Sequence, residues 1–193
     1  MIRRFSLAVA TIAVVVVTPA HAQKQFVGIT GGATVGDFGS VSSNSRWGGT
    51  AGITLGYRNF NWSVVNIEGL WVQRGAEGLR LDYIEVPLLV GGVARVGSSG
   101  NFRSRFYGGI QVAFKIGCSA SGSGPILSPS CATANSTVWG LPFGVQLGRW
   151  KPNGTFVALD VRYMLGLSNA FETSNAHNRG WMFKLIFGKS IGR

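Results

Sequence analysis

The chain has 193 residues and a formal charge of +11, with 13% charged residues, 46% hydrophobic residues and 29 glycines. Low charge with abundant apolar residues suggests a membrane protein, yet beyond residue 22 every apolar run is broken well short of the ~20 residues a spanning helix needs. For an exported chain of this kind the remaining solution is a transmembrane β-barrel, in which strands rather than helices satisfy the backbone.

The first 22 residues, with Arg3 and Arg4, an apolar run and Ala20-His21-Ala22, form the three parts of a secretory signal peptide. A membrane-anchor helix is the alternative, but this run too is shorter than a span. Cleavage after Ala22 leaves one domain, residues 23–193, and takes the charge from +11 to +9. So basic a chain raises the question of a nucleic-acid partner. Export and the scatter of the basic residues argue for no nucleic acid, and for outer-membrane lipid and lipopolysaccharide phosphates as the anionic partners.

Read with period two, the domain yields eight strands, at about 25–35, 46–58, 62–74, 81–95, 103–117, 137–149, 155–167 and 179–191. In the third, Val65, Ile67 and Trp71 alternate with Asn66 and Glu68; in the fifth, Phe106, Ile110, Val112 and Phe114 alternate with Tyr107, Gln111 and Lys115. The sixth sets Trp139, Leu141, Phe143, Val145 and Leu147 against glycines, Pro142 and Gln146. In the seventh, Val157, Leu159, Val161 and Tyr163 flank Asp160 and Arg162, and the eighth opposes Trp181, Phe183, Leu185 and Phe187 to Lys184. Segments after the odd strands read as long loops rich in Ser, Gly and Asn; those after the even strands are short turns, such as Lys151-Pro152-Asn153-Gly154. That asymmetry belongs to an outer-membrane barrel with external loops and periplasmic turns.

A soluble eight-stranded barrel with an apolar interior is the rival. Volume decides between them, because an eight-stranded bore is only just wide enough for ordinary side chains. The bulky apolar face therefore points to lipid, and the face carrying Gly28, Thr30, Gly32, Thr50, Gly52 and Thr54 fills the bore. Two aromatic girdles are expected. One comprises Tyr57, Phe60, Trp62, Phe102, Trp150 and Phe156 near the short turns; the other comprises Trp47, Trp71, Phe114, Trp139 and Trp181 near the loops.

On the inward face lie Arg58, Glu68, Glu85, Arg105, Lys115, Asp160, Arg162 and Lys184. Hairpin registers place Arg162 nearly opposite Lys184, Asp160 diagonal to Lys184, Glu85 near Lys115 and Glu68 diagonal to Glu85, distances that long side chains can close. The set is either a salt-bridged filling or the lining of a narrow pore. Cys118 and Cys131 are the two cysteines, and in an oxidising compartment they read as a disulfide stapling a loop, worth ~3 kcal/mol in the chain-entropy model. No metal-ligand spacing, nucleotide loop or cofactor motif appears. His177, near Ser174 and Asn175 in the last loop, is the one candidate base for a lipid-modifying enzyme at the rim, and a lone loop histidine is more often solvated.

At Leu81-Asp82-Tyr83-Ile84-Glu85-Val86-Pro87-Leu88-Leu89 the sequence resembles the PorT-like outer-membrane β-barrel family, whose fourth strand carries such a motif. Gly28-Ile29-Thr30-Gly31-Gly32 and Leu159-Asp160-Val161-Arg162-Tyr163-Met164-Leu165-Gly166-Leu167 resemble it in the same order. The resemblance implies an all-β, eight-stranded antiparallel up-and-down barrel in a Gram-negative outer membrane, and it implies no catalytic role for Glu85 or Pro87. The expected function is a non-enzymatic structural or surface-binding one through the external loops of a monomer. The alternatives are a narrow channel for ions or small solutes, a rim lipid-modifying enzyme and a secretion-associated component.

Overall fold

Alternating side chains on eight segments become eight antiparallel strands: β1 (Lys24–Phe38), β2 (Arg46–Arg58), β3 (Ser63–Ala76), β4 (Leu79–Val96), β5 (Phe102–Ala120), β6 (Thr137–Trp150), β7 (Thr155–Phe171) and β8 (Ser174–Ile191). Each pairs with its neighbours in the chain, and β8 pairs with β1, closing the barrel. Closure is what lets a sheet cross lipid, since an open edge would leave backbone N–H and C=O groups without partners. The computed structural model describes residues 24–38, 45–58, 63–76, 78–96, 101–120, 131–171 and 174–191; the predicted signal peptide lies outside them.

The faces fall as volume requires. Phe143 and Leu147 are 49% and 52% exposed on the outer wall, while Pro142, Gln146 and Gly148 between and beside them are buried. Ile29, Ile53, Phe106, Ile110, Leu159 and Leu185 continue the apolar skin around the barrel. Thr30, Thr34, Thr50 and Thr54 face the bore and are buried.

The bore itself departs from the expectation of small and ionic side chains alone. Leu70, Val72 and Met182 form one buried apolar group within it. Phe156, Ala158 and Ile186 form another toward the short turns, with Phe26 and Trp150 packed against them. Phe156 and Trp150 are thus not members of a lipid-facing girdle. Phe156 shares the inward phase of Ala158 and Asp160, and Trp150 stacks on it with centroids 5.1 Å apart. The girdle at the other end does face outward, with Trp47, Trp71, Phe114, Trp139 and Trp181 all exposed.

Two of the four predicted long loops are instead strand. β3 and β4 are separated by residues 77–78 alone, and β7 and β8 by residues 172–173. Strands of up to 19 residues exceed the ~9–11 a tilted crossing needs, so the wall continues past the membrane. It can do so because Ala76, Leu79, Leu81, Tyr83, Val138, Ala170, Phe171 and Ala176 turn inward and pack on one another, capping that end of the bore. A bulge in β5 assists. Asp82 opposes Gly117 but Tyr83 opposes Lys115, so Ile116 is the extra residue and the inward phase switches from odd to even. Cys118 is thereby turned toward the cap, where it is disulfide-bonded to Cys131.

Prolines interrupt the ladders locally, as residues without an N–H must. The β3–β4 register passes from Ile67↔Leu88 to Leu70↔Glu85, skipping Pro87, and β5–β6 passes from Gly108↔Phe143 to Gln111↔Gly140, skipping Pro142. At the short-turn end, Gly154 has φ +85° and closes the 151–154 turn by donating its N–H to the Lys151 carbonyl at 3.0 Å.

The outward assignment predicts depth-dependent costs. Phe183→Arg, at mid-wall, should lose about 2–4 kcal/mol of stability, whereas Phe187→Arg, near the interface, should lose about 0–1 kcal/mol beyond the lost ring. Urea titration of protein folded into lipid vesicles measures both. Equal losses at the two positions would mean that this face does not meet lipid.

Candidate functional site: the charged belt of the bore

Glu68 lies on the inward phase of β3, opposite in sense to Val65, Ile67 and Trp71, and is buried. In a medium with little water an ion must be paired or it costs several kcal/mol. Its partners come from the far side of the barrel, on β7 and β8. Arg162 donates from Nη2 to Glu68 Oε1 at 3.1 Å, and its Nη1 lies 2.9 Å from Oε2 without hydrogen-bond alignment. Lys184 Nζ donates to Oε2 at 2.9 Å. Arg162 and Lys184 are fully enclosed, at 0% and 1% exposure.

Asp160 completes the belt. Tyr107 donates its hydroxyl proton to Asp160 Oδ2 at 2.8 Å and accepts from Arg162 Nε at 2.9 Å. Arg162 Nε and Lys184 Nζ lie 3.6 Å and 3.8 Å from Asp160 Oδ1. Arg162 and Arg105 both have their guanidinium carbons just over 5 Å from the centre of the Tyr107 ring, within cation–π range. Two carboxylates thus face two fully enclosed cations, and Arg105 is the surplus charge; it donates to the Asn66 side-chain oxygen. Gly144, opposite Arg162, makes room: a Cβ there would lie 2.8 Å from the Tyr107 hydroxyl and 2.4 Å from the Val161 carbonyl.

Several expectations are corrected. Lys184 stands directly opposite Asp160, and Arg162 opposite Met182, so it is Arg162 that is diagonal to Lys184. The projected register does hold at Asn169↔His177, but it is lost across the irregularity between Leu165 and Asn169. Glu85 is completely buried, yet Lys115 does not neutralise it. Arg74 does, with Nη2 3.0 Å from Glu85 Oε2. The Lys115 ammonium instead donates to the Ala134 and Cys131 carbonyls. Glu68 and Glu85 therefore each have cations of their own. Arg58 stands outside the belt, half-buried at the short-turn end.

Tyr107, Asn66 and Arg74 were not among the predicted site residues. Parity already placed Tyr107 and Asn66 inside, and a phenol or amide in a narrow ionic bore has to bond something. Arg74, at the edge of the third predicted strand, shares the phase of Glu68, Leu70 and Val72. His177 lies with Nδ1 3.3 Å from the Ser168 carbonyl; the side chains of Ser174 and Asn175 are outside the described residues. Among the described residues no group of three His, Cys, Asp or Glu side chains could hold a metal.

The barrel, its lipid-facing skin and its filled bore define an outer-membrane protein. Over residues 4–172 the sequence matches the family described as "Outer membrane protein beta-barrel domain", and the chain belongs to that family. Comparison with curated proteins finds no significant match. Among solved structures, OprG from Pseudomonas aeruginosa aligns at 14% identity with a TM-score of 0.58, over 90% of this chain and 99% of that one. Neisserial surface protein A aligns at 12% identity and 0.50, over 85% and 96%. At these identities the likeness is one of fold.

Removing one member of the belt should be worse than removing a pair. Glu68→Gln leaves Arg162 and Lys184 short of a counter-charge and should cost about 3–5 kcal/mol. Adding Lys184→Met should recover part of that loss. The measure is the urea midpoint for loss of the compact, heat-modifiable band. A double variant no better than the single one would show that Glu68 and Lys184 do not stabilise one another.

Proposed function

We propose that this protein acts as a closed, non-enzymatic barrel of the outer membrane whose working surface is its external end, a structural or surface-binding role. The observation that carries this reading is the bore. A belt of paired ions is flanked by apolar side chains, and the external end is capped by Leu79, Leu81, Tyr83, Val138 and Phe171. Ions held by several partners in a filled lumen leave no continuous water path. The stapled segment between Cys118 and Cys131 is the natural contact, because a constrained loop loses less entropy on binding.

Further parts of the reading rest on the sequence. The Leu81–Leu89 motif favours a PorT-like branch of the family; in it Glu85 pairs with Arg74 and Pro87 interrupts the ladder beside Glu68. Residues 1–22 are removed on export, so intact-mass measurement of the membrane-extracted protein should give a chain starting at Gln23. The rim tryptophans, Trp47, Trp139 and Trp181, suit the interfacial level, where neighbouring basic residues such as Arg46 meet lipopolysaccharide phosphates. The barrel works as a monomer.

Planar-bilayer recording tests the closed bore: no steady conductance is expected from the wild type. Ion-selective steps that change in Arg162→Ala would establish a channel instead. An epitope inserted between Gly124 and Pro125 should be reached by antibody on intact cells. Staining only after permeabilisation would place the stapled loop on the wrong side for this role.

A further inference from the structure

Below the belt, at the short-turn end, the bore opens into a pocket of about 40 Å³ walled by Arg58, Arg103, Arg105, Phe26, Trp150 and Phe156, among others. In barrels of this family that end faces the periplasm. We propose that the pocket is a periplasmic binding site for a phosphate group, presented either as free phosphate or as the head group of an inner-leaflet phospholipid.

Charge is the first argument. Arg58, Arg103 and Arg105 share the inward phase of their strands, and Arg95 lies directly opposite Arg103 in the β4–β5 ladder. Like charges placed so oppose folding unless an anion sits between or beside them. Glu68 and Asp160 of the belt lie within electrostatic reach of Arg105, but among the described residues no carboxylate sits beside Arg58, Arg95 or Arg103. None of the protein's seven acidic residues falls in the strand ends of this mouth or in segments 59–62, 97–101 and 151–154. Among the described residues no carboxylate forms an ion pair with Arg58, Arg95, Arg103 or Arg105; the ion pairs in the bore belong to Arg74 and to the Arg162–Lys184 belt.

Unfilled donor capacity is the second. Arg105 is only 5% exposed, yet among the described residues its Nε meets no acceptor, and neither does the enclosed Nε of Arg103. A buried donor left unpaired is destabilising, and this mouth holds two on guanidinium groups. Arg105 forms the inner wall, immediately below the belt that blocks the bore above it.

Preorganisation is the third. The Arg103 guanidinium lies over the Trp150 ring, 5.1 Å from its centre. Trp150 stacks on Phe156, and Phe156 meets the Phe26 edge at 5.7 Å. An aromatic stack holding a planar fork of N–H donors at an apolar wall suits a phosphate, which several guanidinium groups can grip at once. The pocket holds about three waters, hence the phosphate of a lipid and not its acyl chains, which would remain in the bilayer.

The test uses full-length mature protein folded in zwitterionic, phosphate-free detergent at low salt, titrated calorimetrically with inorganic phosphate and separately with short-chain phosphatidylglycerol. Saturable binding of at least one probe is expected, weakened about tenfold or more by Arg58→Gln or Arg103→Gln and unaffected by Arg149→Gln, an exposed arginine outside the pocket. Heat-modifiable migration verifies folding of each variant, and Arg103→Lys, which keeps the charge, should retain part of the affinity. Binding of inorganic phosphate identifies a free-phosphate site. Binding of phosphatidylglycerol alone, with the same arginine dependence, identifies a lipid head-group site. No binding of either probe, or an equal loss in Arg149→Gln, overturns the proposal.

Discussion

A carboxylate in the middle of an eight-stranded bore has nowhere to find water, so it has to find cations, and Glu68 is where the interior of this barrel is decided. The attraction between Glu68 and its two cations spans the lumen, from β3 on one side to β7 and β8 on the other. Cross-strand hydrogen bonds tie each strand only to its neighbours; these ion pairs tie opposite walls. Burial costs each ion several kcal/mol, and what offsets the cost is the number of partners. Arg162 alone engages Glu68, Asp160 and Tyr107. A network with so many ion pairs favours one arrangement of the bore, because any strand slipped by one residue would turn its charged members out into lipid.

Small residues make the belt possible. The long side chains of Arg162 and Lys184 need space that the neighbouring strands give up: Gly144 stands opposite Arg162 and Gly32 opposite Lys184. At Gly32 even a methyl group would lie 1.9 Å from the Phe183 carbonyl. Apolar groups above and below then exclude water, strengthening every charge interaction between them. The apolar layers inside the barrel are thus no contradiction of its membrane topology; they provide the low dielectric in which the belt operates.

Much of this was legible from residue order, because period-two alternation is a direct readout of which face a side chain takes. The eight strands, the lipid-facing skin and the inward position of Glu68, Glu85, Arg105, Asp160, Arg162 and Lys184 all follow from parity. What parity does not give is partner choice. Glu85 could reach Lys115 on register alone, but Arg74 reaches it along the bore and Lys115 is drawn to the Cys131 and Ala134 carbonyls. Registers counted from loops failed where the wall is irregular: the break between Leu165 and Asn169 turns a predicted Arg162–Lys184 pair into Asp160–Lys184. The external ends of β3, β4, β7 and β8 looked like loops because their Gly, Ser and Asn content hides the few inward apolar residues that hold them as sheet.

With the belt nearly neutral, the residual charge of the barrel has to appear at its ends, and it does so unequally. Asp82 and its partner Arg80 lie toward the capped end, their charges set against each other. The short-turn end has Arg58, Arg95, Arg103, Arg149, Lys151 and Lys189 with no acidic residue among or between them. Unbalanced charge at a rim is tolerable only where the surroundings supply anions within about a Debye length of 10 Å. Anionic head groups at the membrane surface are such a supply. A membrane surface is therefore a setting in which an imbalance that would destabilise a soluble domain can be offset.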